Sequence, residues 1–406
     1  MIQKNTAQST HRPTVIVNVA ITKQGEMSKH SISNSLDWKR VHALRATSDG
    51  VAVGRITWNQ DHPRLNARKE HLGWLPSNQP CPIVFSNLGE VEEVNPNLDH
   101  LPILIGPRQC PGFRYIKSNG VNLSEPLEVL ADMGMRRILV EGGRTLVSSF
   151  LDEGVWDRFH VFVPTVDPVD ARTAVSRAFD LNKCTELRCT ALGTGVVLTY
   201  VQSNQLCYAS YSAPTQYGLV RHHVFFDPKT AEELTVLEYG QALDFGKTPL
   251  VRIQSACFAG ELAESRLCDC GPQFHNAIHR FSESGGGLLV YMHGHEGRGI
   301  GLLAKAEAYE LKSRGLDTVD ANLAVGASIE ARCFDLAARA LILLGLHKVI
   351  LLTNNPLKLQ FGKNTELEVV QEPFHTCVPD DCHGYLMTKI ERMNHDPKLI
   401  AEHPFK

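Results

Sequence analysis

The amino-acid sequence predicts two domains: an N-terminal α/β domain in which helices flank a mixed sheet, and a C-terminal α+β domain. The chain has 406 residues, of which 43% are hydrophobic and 21% charged, and this length suffices for two globular domains. In the first half, short apolar runs alternate with amphipathic helical patterns, which is typical of a parallel or mixed sheet. In the second half, several strand patterns come first and most helices follow, which favours α+β.

The N-terminal half opens with an alternating, β-branched run over 13–22, which predicts a strand, and an amphipathic pattern over 37–47, which predicts a helix. Residues 126–143 indicate a helix, a turn and a strand that ends in two glycines. Further runs predict a helix over 144–155 and strands over 50–54, 81–87, 101–106, 157–166 and 193–202. This alternation is typical of nucleotide-binding sheets.

The C-terminal half follows a polar, turn-rich segment and has a different order of patterns. Three runs predict antiparallel strands over 222–227, 234–240 and 248–256. Two later strands and three helices are predicted over 286–294, 348–355, 274–284, 299–315 and 328–345. Ser328 is the expected N-cap of the last helix and Gly345 its end. We therefore expect a disordered N-terminus over 1–11, a first domain over 12–202, a linker over 203–218, a second domain over 219–395 and a tail over 396–406.

The charge and hydropathy of the chain exclude several classes of function. The formal net charge is −3 and the pI is about 6.7, so no general basic field attracts nucleic acid or acidic membranes. No apolar run approaches the ~18 residues of a membrane span, and the polar start has no signal core. We expect a cytoplasmic protein whose eleven cysteines are reduced.

Three of these cysteines, Cys257, Cys268 and Cys270, lie within fourteen residues. In an extended segment residues i and i+2 share one face, so Cys268 and Cys270 can reach one ion, and Cys257 can complete three thiolate ligands. Three protein ligands with an open position are typical of catalytic zinc, whereas four ligands are typical of structural zinc. A structural site completed by Cys377, Cys382 or a histidine such as His275 is the alternative.

Six stretches between residues 252 and 364 carry a family resemblance: RIQSAC, CDCGPQ, HEGRGIGLLAKAEAY, DTVDAN, the E-A-R of SIEARCF, and LLTNNPLK. In this order and spacing they resemble GTP cyclohydrolase II. That family opens the imidazole ring of GTP at zinc, releases formate and pyrophosphate, and leaves 2,5-diamino-6-(5-phosphoribosylamino)pyrimidin-4-one.

The resemblance implies a role for each matching residue. Cys257, Cys268 and Cys270 match the zinc ligands. Arg332 and Tyr309 match catalytic residues, and Glu330 stands where the family has its general base. GTP, with Mg²⁺ on its triphosphate, would be held by Arg252, Gln273, Glu296, Gly297, Arg298, Thr318, Thr353 and Lys358.

Three positions depart from the family. Glu330 replaces the usual aspartate, which moves the carboxylate by about one methylene, and a misplacement of about 1 Å can cost ~100-fold in rate. Gln254 and Ala256 replace the histidine and glutamate that commonly precede the first cysteine. These two changes predict a thinner layer of residues behind the metal ligands.

Two stretches of the N-terminal half, LRATSDGVAVGRITWNQDHPRLNAR (44–68) and ILVEGGRTLVSSFLDEGVWDRFHVFVPT (138–165), carry a second resemblance. They resemble the reductase domain of riboflavin biosynthesis, which has a dihydrofolate-reductase-like fold and reduces a ribosylaminopyrimidine phosphate with NADPH. The family's Ser-x-Asp-Gly is replaced here by Thr22-Lys23-Gln24-Gly25. The resemblance implies an NADPH site at Thr57, Asp61, Gly143, Arg144, Thr145 and Leu146, and a substrate site at Arg45, Leu65, Arg68 and Glu141.

Together the two resemblances predict a homodimeric enzyme that binds small-molecule nucleotides and joins a zinc- and magnesium-dependent GTP cyclohydrolase to an NADPH-dependent reductase. The cyclohydrolase product can be reduced before deamination, so both steps can be consecutive. One alternative is a cyclohydrolase homologue that acts on a different nucleotide in catabolism or specialised metabolism. Another is a protein whose N-terminal domain binds nucleotides without catalysis.

Overall fold

A computed structural model of the protein describes residues 12–27, 32–88, 91–92, 98–120, 122–243, 246–316, 318–327, 331–363, 365–374, 387 and 390–391. The chain divides into two compact units with their border between Gln205 and Leu206. The expected disordered N-terminus and C-terminal tail lie outside the described residues. Among the described residues, no helix combines the length and the apolarity that a membrane span requires.

The N-terminal unit is built on a nine-stranded mixed sheet with the order β5-β4-β3-β2-β6-β1-β7-β9-β8. The strands are β1 (Thr14–Ala20), β2 (Gly50–Gly54), β3 (Cys81–Phe85), β4 (Ile103–Gly106), β5 (Arg114–Lys117), β6 (Arg137–Val140), β7 (Arg158–Val163), β8 (Cys184–Leu192) and β9 (Gly195–Gln202). The helices are α1 (Ser35–Ala46), α2 (Arg55–Asp61), α3 (Lys69–Leu72), α4 (Ser124–Asp132), α5 (Arg144–Glu153) and α6 (Pro168–Ala178). The predicted fold class is confirmed.

The inner parallel strands of this sheet are buried on both faces. Val15 and Val17 belong to the larger apolar cluster, whereas Ile16 belongs to the cluster on the other face with Val53 and Trp58. Burial on both faces explains the near-continuous apolar runs from which these strands were predicted. Strand β9 runs antiparallel to both of its neighbours, β7 and β8.

The C-terminal unit has a seven-stranded sheet with the order β10-β11-β12-β14-β13-β15-β16. Its strands are β10 (Cys207–Thr215), β11 (Gly218–Asp227), β12 (Glu232–Gly240), β13 (Leu250–Ser255), β14 (Gly286–Met292), β15 (Lys348–Leu352) and β16 (Glu368–Glu372). Its helices are α7 (Cys270–Ser284), α8 (Leu302–Ser313), α9 (Thr318–Ala324) and α10 (Asp335–Leu343). Helix α10 packs on one face of the sheet and α7 on the other.

Three sequence predictions for this unit are wrong. The strand predicted over 248–256 is parallel to β14 and β15, because α7 crosses over between β13 and β14. The linker predicted over 203–218 is largely the strand β10, whose mostly exposed side chains give no apolar period. The last helix begins at Asp335 instead of Ser328, which lies outside the described residues. Its predicted end is confirmed, since Gly345 follows it with a φ of 85°.

The parallel strands bring three loops to one edge of the C-terminal sheet. Cys257 follows β13, a 3-10 turn over His293–Arg298 follows β14, and the segment Thr353–Lys358 follows β15. Ligands of open α/β sheets bind at the carboxyl ends of their parallel strands. The candidate site lies at this edge.

Candidate active site

Three cysteine thiols meet beyond the end of β13. The Sγ atoms of Cys257, Cys268 and Cys270 all lie within 4.8 Å of one another, and those of Cys257 and Cys268 are 3.7 Å apart. Tetrahedral zinc with Zn–S bonds of ~2.3 Å places two sulfurs about 3.8 Å apart. The three thiols therefore fit a zinc ion, as their spacing in the sequence predicted.

The described residues offer this group no fourth histidine, cysteine, aspartate or glutamate ligand. His275, one alternative fourth ligand, instead contacts the hydroxyl of Tyr217 through Nδ1 at 3.3 Å. The other two alternatives, Cys377 and Cys382, lie outside the described residues. The described donors match the three-ligand arrangement of catalytic zinc.

Two glycines allow the thiols to converge. A Cβ at Gly260 would lie 2.7 Å from Cys268 Sγ and 3.3 Å from Cys257 Sγ. A Cβ at Gly271 would lie 2.3 Å from the backbone oxygen of Gly260. The distances of 2.7 Å and 2.3 Å are too short for a side chain, so the thiol cluster requires glycine at both positions.

The electrostatics of the cluster favour a thiolate at Cys257. Hydrogen bonds with the thiols of Cys268 and Cys270 hold the pKa of Cys257 well below its usual range, and the cation of Lys305 adds to this effect. Lys305 Nζ donates to Cys257 Sγ at 3.2 Å. The thiolate is the form that ligates metals, so Cys257 is the ligand favoured first. The hydrogen bonds with Cys257 raise the pKa of Cys268 and of Cys270, whose thiols must lose their protons when a metal binds.

Glu296, the carboxylate among the predicted GTP-binding residues, is held by groups of the protein itself. Its carboxylate accepts hydrogen bonds from Lys305 Nζ at 2.6 Å and from the backbone N–H of Phe258 at 2.6 Å. Burial lowers the pKa of Lys305, but the hydrogen bond to Glu296 and the charge of Cys257 outweigh this and raise it. Sequence reasoning missed Lys305, which joins Glu296 to the thiol cluster.

Arg252 and Lys358, two predicted GTP-binding cations, are buried and already bonded to the protein. The Arg252 guanidinium donates to the backbone oxygen of Leu352 at 2.9 Å and to Gln273 Oε1 at 2.5 Å. Burial lowers the pKa of Arg252 to about 10. Lys358 Nζ donates to the backbone oxygen of Ile253 at 2.7 Å. In this structure both cations therefore bind groups of the protein itself at the base of the cleft.

A cleft opens above the thiols and contains about 1090 Å³ of empty space, including the solvent at its mouth. Arg332 Nη1 donates to Ser255 Oγ at 3.3 Å, which places this guanidinium at the end of β13, two positions before Cys257. The tight turn at Arg298 has a φ of 68°. The predicted site residues that line the cleft are Arg252, Cys257, Cys268, Cys270, Gln273, Glu296, Gly297, Arg298, Tyr309, Arg332, Thr353 and Lys358.

For two further predicted residues, the side chains lie outside the described part of the structure. Thr318 begins α9, and its side chain is not among those described. Glu330 lies outside the described residues, two positions before Arg332. Its role as general base stays a prediction.

Lys312 lines the cleft and was not predicted. Lys305, Tyr309 and Lys312 follow one face of α8 at the spacing i, i+4, i+7. The Nζ atoms of Lys305 and Lys312 lie 5.6 Å and 4.9 Å from the centre of the Tyr309 ring. This spacing was visible in the sequence and could have identified both lysines once Tyr309 was proposed.

The predicted substrate residues of the N-terminal unit include a pair that bind each other. Arg45 Nε and Nη2 donate to Glu141 Oε1 and Oε2 at 2.8 Å and 2.6 Å, and both side chains are more than nine-tenths buried. Arg68 is exposed, and its backbone N–H donates to His42 Nδ1 at 3.0 Å. Leu65 is buried with a φ of 54°, a backbone strain that its setting must impose.

The predicted NADPH residues gather partly at the start of α5. Gly143 precedes α5 with a φ of 48°, and a Cβ there would lie 3.3 Å from Thr57 Oγ1. Arg144 and Thr145 are exposed in the first turn, and Leu146 is buried. Asp61 is exposed at the end of α2. The N-terminus of a helix is a general binding site for phosphate groups.

Two family models match the chain in succession. The model described as GTP cyclohydrolase II matches residues 207–373, and the model described as RibD C-terminal domain matches residues 13–198. GTP cyclohydrolase-2 of Neisseria gonorrhoeae is 41% identical over 188 residues, which are 46% of this chain and 94% of that protein. The riboflavin biosynthesis protein RibBA of Mycobacteroides abscessus is 38% identical over 195 residues, which are 47% of each chain.

Solved structures also resemble the chain. RibD of Acinetobacter baumannii is 25% identical with a TM-score of 0.40, and the match covers 48% of this chain and 59% of that one. Dihydrofolate reductase of Enterococcus faecalis is 14% identical with a TM-score of 0.27, and the match covers 47% of this chain and 96% of that one.

Proposed function

Because the chain belongs to the GTP cyclohydrolase II family, we propose that its C-terminal unit opens the imidazole ring of GTP hydrolytically. Formate and pyrophosphate leave, and 2,5-diamino-6-(5-phosphoribosylamino)pyrimidin-4-one remains. The observation that carries this proposal is the three-thiol group beside Arg332 and Tyr309 in one cleft. The test is release of formate and pyrophosphate from GTP by zinc-replete protein, with Mg²⁺ present.

Cys257, Cys268 and Cys270 would hold the zinc ion. Zinc bound there would supply Lewis-acid activation of water for attack on the purine C8. Arg332 donates to Ser255 Oγ in this cleft, and by the family resemblance it would attack the α-phosphate of GTP, with pyrophosphate as the leaving group. Glu330, two residues before Arg332, is the proposed general base, and Tyr309 would orient the reacting group from α8.

The triphosphate requires cations that can leave the protein's own hydrogen bonds. Arg252 and Lys358 are more than nine-tenths buried, whereas Arg298, Lys312 and Arg332 line the cleft and are only partly buried as residues. Together with Mg²⁺ these three side chains are our proposed triphosphate contacts. Their local positive charge would act within a chain whose net charge is −3.

Replacing Lys312 by glutamine is expected to raise the KM for GTP about tenfold, because one charge-assisted contact to the phosphates is lost. The value of kcat should change little. Steady-state kinetics of formate release measures both. Arg314→Gln is the matched control, since Arg314 lies two residues away, is exposed and pairs with Glu310 at 2.6 Å. Equal KM values for the two variants would contradict the proposed contact.

For the N-terminal unit we propose an NADPH-dependent reductase that acts on the ribosylaminopyrimidine phosphate. The match to the RibD C-terminal domain and the meeting of Thr57 with the Gly143 turn support this. The Arg45–Glu141 pair leaves Arg68 as the exposed predicted cation for the substrate's phosphate. Saturable quenching of tryptophan fluorescence by NADPH tests whether this unit binds the cofactor.

We also propose that the protein is a cytoplasmic homodimer. Light scattering, which measures the molar mass in solution, tests the dimer.

A further inference from the structure

We propose that Glu261 is a positioning residue of the metal site and that, through Gln254, it fixes the backbones of Cys257 and Cys270 relative to each other. This inference rests on the proposed zinc site. It concerns two residues behind the thiols, neither of which is a ligand.

The carboxylate of Glu261 receives three hydrogen bonds. Its Oε2 accepts from the backbone N–H of Cys257 at 3.3 Å and from the hydroxyl of Tyr291 at 2.7 Å. Its Oε1 accepts from Gln254 Nε2 at 2.7 Å. The backbone adds a further tie, since Glu261 N–H donates to the oxygen of Cys257 at 2.9 Å. Glu261 therefore holds the Cys257 end of the cluster on both its N–H and its C=O.

Gln254 extends this arrangement to the other end of the cluster. Its Nε2 also donates to the backbone oxygen of Cys270 at 3.3 Å, while its Oε1 accepts from Arg252 Nε at 3.4 Å. An arginine can only donate, so it orients the amide with its oxygen toward Arg252 and its NH₂ toward Glu261 and Cys270. The side-chain amide of Gln254 thus links the carboxylate of Glu261 to the backbone of Cys270.

The chemistry of the three donors specifies a carboxylate at position 261. A backbone N–H, a tyrosine hydroxyl and an amide NH₂ converge on it, and an ionised carboxylate accepts at both oxygens without donating. A glutamine there would turn its own NH₂ toward one of these donors. Gln254 is 2% exposed, and a donor left without an acceptor in such a place costs about 1–3 kcal/mol.

This arrangement changes the meaning of the Gln254 departure. The sequence predicted that losing the family's histidine would thin the layer behind the ligands. In the structure Gln254 instead makes three contacts there, with Arg252, Glu261 and Cys270. In this protein Gln254 and Glu261 together support the metal-binding cysteines from behind.

The test measures zinc affinity by competition with a chromophoric chelator and records the absorption spectrum of the Co²⁺-substituted protein. We expect Glu261→Gln to weaken zinc binding about 10- to 100-fold, the usual effect of losing an outer hydrogen-bond partner, and to shift the Co²⁺ bands. Glu264→Gln, an exposed change in the same loop, should match the unchanged protein. Gln254→Ala and Tyr291→Phe should each weaken binding less than Glu261→Gln.

A Glu261→Gln protein that binds zinc within twofold of the unchanged protein, with the same Co²⁺ spectrum, overturns the inference. If that variant does not fold, an unchanged affinity and spectrum for both Gln254→Ala and Tyr291→Phe overturn it equally. Failure of the unchanged protein to bind zinc would overturn the proposed function as well. The two failures are thereby distinguishable, and neither readout depends on activity.

Discussion

Replacing Cys268 by serine is expected to remove bound zinc and to lower kcat/KM for GTP ring opening by about 1000-fold or more. Lewis-acid activation contributes several kcal/mol to catalysis, and about 4 kcal/mol corresponds to about 1000-fold in rate. Cys268 is buried, and its Sγ lies 3.7 Å from that of Cys257. The serine hydroxyl is a poor ligand that stays protonated near neutral pH, so two thiolates remain.

Metal analysis and formate release measure this prediction together. Cys189→Ser is the control, because Cys189 is an exposed thiol of β8 in the other unit and lies outside the cluster. It should keep full zinc content and activity. A Cys268→Ser protein that retains both would show that the thiol cluster is not the catalytic site.

Replacing Glu141 by alanine is expected to lower the free energy of unfolding of the N-terminal unit by about 3–5 kcal/mol, because it leaves Arg45 buried without its partner. The pair is bidentate, and although burial lowers the pKa of Arg45, the charge of Glu141 outweighs this and raises it. Chemical denaturation monitored by fluorescence measures the loss.

The matched control is a second bidentate pair of the same unit, Arg172 with Glu186, whose side chains are 47% and 26% exposed. Glu186→Ala should leave the midpoint of unfolding nearly unchanged, because solvent replaces the lost contact. Equal losses for Glu141→Ala and Glu186→Ala would refute the argument from burial. An unchanged stability with weakened substrate binding would instead support the role in substrate binding that the sequence predicted for Glu141.

The sequence identified the elements with strong apolar periods and the residues with close spacing. One cleft is lined by the three cysteines of the cluster together with Tyr309 and Arg332, all of which were predicted as site residues. These residues could be predicted because their types and their spacing along the chain are visible in the sequence itself.

The sequence did not predict contacts between side chains that are far apart along the chain. Arg252, Glu296 and Lys358 have the charges that a nucleotide requires, yet the fold places a protein partner against each of them. The same holds for Arg45, which pairs with a glutamate 96 positions away. Residue type shows what a side chain can bind, whereas the topology of the sheets decides what it meets first.

The sequence also did not predict two strands at the edges of the sheets. Strands β8 and β10 carry mostly partly or fully exposed side chains, so neither shows the alternation from which inner strands were predicted. Glu261 was missed for a different reason. It looks like an ordinary loop carboxylate until the structure places Tyr291 and Gln254 against it.

The most direct test of the central claim is mass analysis of the products formed from GTP by zinc- and magnesium-replete protein, with and without NADPH. We predict formate, pyrophosphate and 2,5-diamino-6-(5-phosphoribosylamino)pyrimidin-4-one without NADPH, and the product two hydrogens heavier with it. Other nucleoside triphosphates should react more slowly. GTP that is returned intact, while another nucleotide is opened or none is, would contradict the account.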